Sequence, residues 1–478
     1  MTESTVDATI VGGGPNGLAA AITLARAGHS VRVLERADSV GGGARSAELT
    51  LPGFVHDVCS AVHPFGRTSP FFAEARLERH GLRWVDPPAA FAHPLDDGSA
   101  VIVTRDVDDT ARQLGRDRDA YRRLIGPLVR GFGDLIPDIL SPFHIPLGPR
   151  RATRLAWFGF HALQPATWLA RRFRDDTARA VLAGVAAHSV LRLDEPISGA
   201  ASLVMLGSAH HDGWPFPEGG AGRISDAMAA ELRALGGTIE TDRDVAALDD
   251  LPRSRLALFD TSPRALERVA GARLPDGYRK KLRGYRYGPS VFKLDIAIEG
   301  PIPWRNEAVG RAGTVHLGGT FEEIAQSEAD ATAGRVNERP YVLLAQQSPF
   351  DRSRAPGDGN TVWAYCHVPR GTTVDFSEII LGQIERFAPG FRDRILKVSA
   401  ISPADLEAYN PNNIDGDMSG GRIDLRQLFT RPVARLDPYT TPDPRLFLCS
   451  SSTPPGGGIH GMCGWHAAHS VLRRLETR

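Results

Sequence analysis

Hydrophobic positions along this chain keep two different rhythms, and their alternation predicts an α/β protein. Val6–Val11 is a short apolar run of the kind that forms a parallel strand covered on both faces. Glycines follow, then a helical pattern from about Pro15 to Ala27 that stops at Gly28, then a second strand from Ser30 to Leu34. Residues 91–104, FAHPLDDGSAVIVT, predict a hairpin turning at Asp97 and Gly98. From about Asp106 to Ser208 the period is helical, broken by the proline-rich SPFHIPLGPRR. Residues 215–262 read as a glycine turn, an amphipathic helix, a Gly-Gly stop, a short strand and an apolar strand. Strand patterns return in VFKLDIAIEG, PYVLLAQQS and NTVWAYCHV. The chain closes on a buried-looking strand near residue 445, a glycine-rich turn and a last helix.

The first of these patterns carries chemistry. Gly12, Gly14 and Gly17 form a GxGxxG turn between strand and helix, followed by an acid, Glu35, at the end of the second strand. Such glycines allow a tight turn, let the backbone approach a pyrophosphate, and seat the helix on the sheet. The helix, opening at Pro15 and Asn16, aims its free N–H groups and positive dipole end at the phosphates. Glu35 stands where a carboxylate accepts hydrogen bonds from a ribose diol, with Arg36 beside it. Strand, turn, helix, strand and acid in register predict a dinucleotide site. A Glu here suits NAD and FAD alike.

Gly41, Gly42 and Gly43, then Ala44 and Arg45, continue into a second glycine turn with a cation. This acid, spacer, Gly-Gly and Arg pattern resembles the extended FAD signature of the glutathione-reductase-like flavoproteins. Near the far end, Gly456, Gly458 and Gly461 also fit GxGxxG, but only 17 residues remain after Gly461, too few for a second strand and acid. This turn is therefore no separate NAD domain. It is expected to bring the last helix beside the same cofactor, where amides near Ile459, His460 and Met462 stabilise negative charge on a flavin ring.

Four stretches together resemble the phytoene-desaturase-like branch of the FAD-dependent amine oxidase superfamily, and within it the type of pyridine nucleotide-disulfide oxidoreductase domain-containing protein 2. They are GGGPNGLAAAITLARAG with VLERADSVGGGARS, PEGGAGRISDAMAAEL, NNIDGDMSGGRIDLRQLFTRPV and SSSTPPGGGIHGMCGWHAA. The resemblance implies one non-covalent FAD in a discontinuous Rossmann-type, glutathione-reductase-like domain (1–74, 213–285 and 426–478). It also implies a second, α+β substrate domain (75–212 and 286–425), with a sheet roofed by helices over the flavin. Val245 is implied at the adenine. Many relatives place an acid after the C-terminal strand to bind the ribityl chain. Here Ser450, Ser451 and Ser452 stand in that neighbourhood, and Ser451 is the expected cofactor contact.

Composition excludes several functions. With 42% apolar residues and zero formal net charge, the chain lacks the basic excess of a nucleic-acid-binding protein. Its four cysteines form no CxxC or CxxxxC pair, so a dithiol redox centre is not expected. His210 and His211 lack further ligand-type spacing, and no metal site is assigned. MTESTVD has neither a cationic stretch nor an apolar h-region, and no run of 18 apolar residues occurs, predicting a cytoplasmic protein. Only four of the 56 basic residues are lysine, a bias of GC-rich bacterial genomes. Residues 144–174 interleave arginines with Leu155, Trp157, Phe158, Phe160 and Trp168. That mixture suits a peripheral membrane contact, and equally a helix packed on the core or on a second subunit.

A bound flavin would take a hydride at N5 from a substrate C–H and be reoxidised by oxygen or a quinone. Desaturation also removes a proton, so an acceptor nearby would help. His63, His460 and Asp417 are the candidate catalytic residues, each with a structural role as the competing reading. By the resemblance the substrate is a hydrophobic, isoprenoid- or carotenoid-like molecule. An amine or amino-acid oxidase is the alternative, for which Tyr285, Tyr287 and Trp465 are candidate cage aromatics. A flavoprotein with mainly structural FAD is a third reading.

Overall fold

The computed structural model describes residues 5–144 and 148–476. Residues 145–147 of the arginine and aromatic stretch, and the first four residues of the N-terminal segment, lie outside these. Two large sheets organise the chain.

The first is a five-stranded parallel sheet in the order Leu446–Leu448, Ser254–Phe259, Val6–Val11, Val31–Leu34, Thr238–Glu240. Its strands come from the start, middle and end of the sequence. Val6–Val11 lies at its centre, where Ala8 and Ile10 are almost wholly buried. The helix Pro15–Arg26 crosses between the first two strands of the chain and is covered by Gly222–Ala234 and by the last helix, Met462–Glu476. Its alanine-rich face, Ala19 to Ala21, permits that double covering. At Gly464 the last helix comes so near that a Cβ would lie 1.8 Å from the Asn16 carbonyl oxygen. Small residues thus fix how closely the first and last helices, and with them the two glycine turns, can meet.

The second sheet has seven strands, in the order Ile395–Ile401, Ser290–Glu299, Gly359–Val368, Val342–Ala345, Ala312–Leu317, Ala89–Pro94, Ala100–Val103. It is antiparallel except where Ala312–Leu317 meets Ala89–Pro94. That parallel step carries the predicted hairpin into the same sheet as the later strands. Alternate side chains face opposite sides. Phe292, Leu294 and Ile296 join Val362, Ala364, Cys366, Leu344 and Val315 in one apolar core under the helix Ser377–Phe387. The other face lies under helices that include Asp176–Ala186, Ser198–His211 and Phe321–Ala333. Both faces of the sheet are therefore covered.

The helix Pro149–Ala162 buries Phe158 and leaves Phe160 exposed, and Trp168 in the following helix is also exposed. Arg151 and Arg154 pair with Asp138 and Asp134 of the preceding helix. Among the described residues no helix is long and apolar enough to cross a membrane. All four cysteines are buried and unpaired.

Candidate functional site

A cleft, open at its mouth, runs along the C-terminal ends of the parallel strands. This is where ligands bind in open parallel sheets. Its walls hold Glu35, Arg36 and Val245, the turn residues Gly12, Gly14, Pro15, Asn16, Gly42, Gly43 and Arg45, and Ser451, Gly458 and Ile459 from the far end of the sequence. Three separate stretches of sequence thus converge on one wall.

The glycine turn is held open by two acids. Gly13 N–H donates to Glu35 Oε2 at 2.7 Å, and Ala37 N–H donates to Oε1 at 2.9 Å, fixing that carboxylate at the strand end. Gly17 N–H donates to Asp260 Oδ2 at 2.8 Å. A Cβ at Gly17 would fall 2.1 Å from the Gly12 carbonyl oxygen, so only glycine lets the helix start this close to the strand. At Gly43, by contrast, nothing lies within 3.9 Å of where a Cβ would project, and the nearest atoms are those of Cys59 and Ile459. A side chain there would occupy the cleft. Arg45 donates to the Val40 carbonyl at 3.1 Å, sits 3.4 Å from Glu35 Oε1 and stacks 5.6 Å over the Tyr409 ring.

The remaining predicted cofactor residues stand behind the cleft and shape it. Ala44 offers its carbonyl to Ser225 Oγ at 2.8 Å, tying the second turn to the helix Gly222–Ala234. Gly461 takes a positive φ of 70° where a Cβ would meet Phe71 at 2.5 Å. Met462 N–H donates to His460 Nδ1 at 3.0 Å, so the His460 ring satisfies an amide at the start of the last helix.

The three candidate catalytic residues all lie outside the walls of this cleft. His460 is buried and serves the helix start just described; burial pushes it down to about 4. His63 is buried with Nε2 at 3.3 Å from Ser60 Oγ and its ring edge-on to Trp84, and burial lowers it to about 4. Asp417 accepts from Gly288 N–H at 2.8 Å and from Ser419 N–H at 2.7 Å, fastening a loop, and burial raises its pKa. The proposed aromatic cage is not assembled. Tyr285 and Tyr287 pack edge-to-face at 5.3 Å, while Trp465 packs on His469 and donates to Glu74 at 3.1 Å.

Other residues make the site and were not singled out from sequence. Asp260 ends the strand beside Val6–Val11, as Glu35 ends the strand on its other side, and that position was its signal. Arg431, fully buried, donates to the Ser451 carbonyl at 2.8 Å and holds the serine turn. It sits within the third motif quoted above. Lys293 and Asp295 form a fully buried ion pair beneath Trp363, whose ring lies 5.8 Å from the ammonium. His56 approaches Asp295 at 3.5 Å, and burial with the Lys293 charge pushes it down to about 3. Burial lifts Asp295 to about 6.

Comparisons with known proteins follow the same outline. Residues 10–75 match the family model described as an NAD(P)-binding Rossmann-like domain. The chain is 26% identical to rat pyridine nucleotide-disulfide oxidoreductase domain-containing protein 2, covering 98% of this chain and 94% of that protein. It is 24% identical to a carotenoid 3,4-desaturase of Haloarcula japonica, covering 98% of each. A solved structure of putrescine oxidase shares the fold, with a TM-score of 0.63, 17% identity, and coverage of 98% of this chain and all of that one. Over nearly its whole length the chain is thus similar in sequence to pyridine nucleotide-disulfide oxidoreductase domain-containing protein 2 and to the carotenoid desaturases, it carries a Rossmann-like nucleotide-binding segment, and it has the fold of putrescine oxidase.

Proposed function

We propose that the chain binds one FAD non-covalently along this cleft and uses it to oxidise a largely apolar, isoprenoid-like substrate. The observation that carries the reading is the single cleft from Glu35 to Ile459, walled by both glycine turns. The residues fit the group. Glu35 would take the adenosine ribose, the amides after Gly12 the diphosphate, and Gly43 and Ile459 would flank the flavin end. When bound, the flavin supplies a two-electron acceptor, with oxygen or a quinone as the final oxidant. The chain supplies burial, position and charge: the covered polar face of the seven-stranded sheet adjoins this end through Lys293, Asp295 and Cys59, whose thiol burial raises to about 11. An amine substrate is the second reading, favoured by the aromatic side chains on that face and by the fold shared with putrescine oxidase.

The visible spectrum of the purified protein tests the central claim, followed by anaerobic mixing with apolar polyenes, amines, NADH and NADPH. A yellow flavin band bleached by a polyene or another apolar donor is expected. A folded, colourless protein that takes up no added FAD would refute it, and bleaching by amines alone would select the second reading. A flavin that no donor reduces would point to a structural cofactor. Glu35→Ala is expected to weaken FAD binding about ten- to a hundredfold by equilibrium dialysis, because hydrogen bonds to a charged acceptor contribute ~1.5–3 kcal/mol.

A further inference from the structure

Large apolar side chains in water are not spread evenly over this molecule. Of the ten large hydrophobic side chains exposed among the described residues, six come from two short stretches, Phe143, Phe160, Leu163 and Trp168 from one and Leu425 and Phe429 from the other. Phe143 is 80% exposed and Phe160 67%. The two stretches meet. The Phe143 and Phe429 rings pack edge-to-face at 5.7 Å. Arg422, just before the helix Leu425–Leu428, donates to Glu195 at 2.6 Å, and Ile197 N–H, two residues on, donates to the Leu163 carbonyl at 3.1 Å. Gln164 donates to the Phe160 carbonyl at 3.1 Å, and Arg172 donates to Gln164 at 3.3 Å and to the Trp168 carbonyl at 3.4 Å. These contacts join the six into one patch.

The free charge around the patch has one sign. Residues 139–174 contain six arginines and no aspartate or glutamate. The carboxylates at the border are each held by an arginine already: Asp138 by Arg151, Asp134 by Arg154, Glu195 by Arg422 and Asp424 by Arg286. Arg150, Arg171, Arg172 and Arg426 are exposed and have no carboxylate partner among the described residues. A second copy meeting this face through a two-fold axis would set these cations against their own counterparts, which is repulsive. A phospholipid surface answers both features, because rings enter the acyl boundary and guanidinium groups meet phosphates. The strength of such binding grows with the apolar area buried and with the attraction to anionic lipid, and this face supplies both.

We infer that this face docks on an anionic phospholipid membrane, its exposed aromatic rings entering the headgroup boundary and Arg150, Arg171, Arg172 and Arg426 binding lipid phosphates. The contact is peripheral, since no helix among the described residues is long and apolar enough to cross. It does not depend on what the cleft binds.

Sedimentation of the purified full-length protein with vesicles tests the contact, one set made of phosphatidylcholine alone and one containing about 30% phosphatidylglycerol. Binding at least about tenfold tighter to the anionic vesicles is expected, falling steeply in about 0.5 M sodium chloride as the charges are screened. Arg150→Gln with Arg171→Gln should weaken it about twenty-fivefold, since each cation near an anionic surface contributes about fivefold. Phe160→Ser with Trp168→Ser should weaken it by a comparable factor without altering the thermal melt, because both side chains stand in water in the free protein. Trp168→Phe should still bind, yet lose most of the tryptophan quenching that brominated phosphatidylcholine in the anionic vesicles produces. No sedimentation with the anionic vesicles, equal binding to both sets, or full binding by a folded Phe160→Ser, Trp168→Ser protein would overturn the inference. So would a dimer mass in light scattering that the same double variant converts to a monomer, because a second copy would then cover this face.

Discussion

Arg354→Leu is expected to lower unfolding free energy by about 3–5 kcal/mol, the loss that follows when one partner of a buried ion pair is removed. The guanidinium is 1% exposed and answers two carboxylates: Nη1 lies 3.0 Å from Asp57 Oδ2 and Nε 2.9 Å from Asp351 Oδ2. Its Nη2 donates to the Pro217 carbonyl at 3.2 Å. Each acid also accepts a backbone amide, Asp57 from Ala221 and Asp351 from Gly219, both at 2.7 Å. Three distant stretches are held at one point, between the parallel sheet's glycine-turn helix and the seven-stranded sheet. Leucine would fill most of the volume but leave two buried charges without a cation. Arg83, 80% exposed and 3.9 Å from Glu218, is the control. Its replacement by leucine should change stability by less than about 1 kcal/mol. Urea denaturation of both variants checks the contrast, and similar midpoints would show that the buried network contributes little.

What was legible in the sequence was whatever depends on close spacing along the chain. The glycine turn, its helix and Glu35 form a unit closely spaced in sequence, in which Gly17 answers a contact with Gly12, while the reason for glycine at 12 and 14 is the distant Asp260. The second turn and the final glycine turn were readable from the same close spacing of glycines. The catalytic candidates were chosen for nearness to those turns, and nearness in sequence does not say what a ring's nitrogens bond to. His460 stands two residues from the amide it accepts, so a helix start claimed it. Asp417 was claimed by two loop amides.

Residues whose partners lie hundreds of positions away were illegible. Lys293 and Asp295 alternate with Phe292, Leu294 and Ile296, a pattern that reads as a strand with one face in water. The segment around His56 and Cys59, more than 230 positions earlier, packs against that face instead, and both charges are fully buried. His93, His188, His316 and His367 are scattered over nearly 280 positions of sequence, and only the parallel step between Ala312–Leu317 and Ala89–Pro94 brings the first beside the others. No periodicity announces a parallel pairing between strands so far apart. The polar face of the seven-stranded sheet is thus a product of topology, whereas the cleft at the glycine turns is largely a product of local motifs that topology then aligns.

With FAD bound as proposed, the affinity is expected to fall about tenfold per pH unit above pH 7, because of Asp260. This carboxyl lines the cleft at the glycine turn, accepts Gly17 N–H, and is lifted by burial from 3.8 to about 7. The amide at the helix start opposes that rise, and the Glu35 charge adds to it. A diphosphate laid on the same turn brings further negative charge, so the complex favours the protonated acid and binding takes up a proton. Below pH 7 the acid is already neutral and affinity should be flat; above it, each pH unit removes nine-tenths of the competent form. The same shift has a consequence without cofactor. An acid whose folded pKa is raised loses stability as pH climbs from about 4 to about 7, since the unfolded chain ionises first, and the loss remains above 7. Asp260→Asn keeps an oxygen to accept Gly17 N–H and removes the charge, so it should flatten both dependences and retain FAD at pH 9 about a hundredfold better than the wild type. Flavin fluorescence released on dialysis at pH 6, 7, 8 and 9 measures the first effect, and urea midpoints of the stripped protein measure the second. A wild-type affinity independent of pH over this range would mean that Asp260 is ionised in the complex and that the helix start alone outweighs its repulsion of the diphosphate.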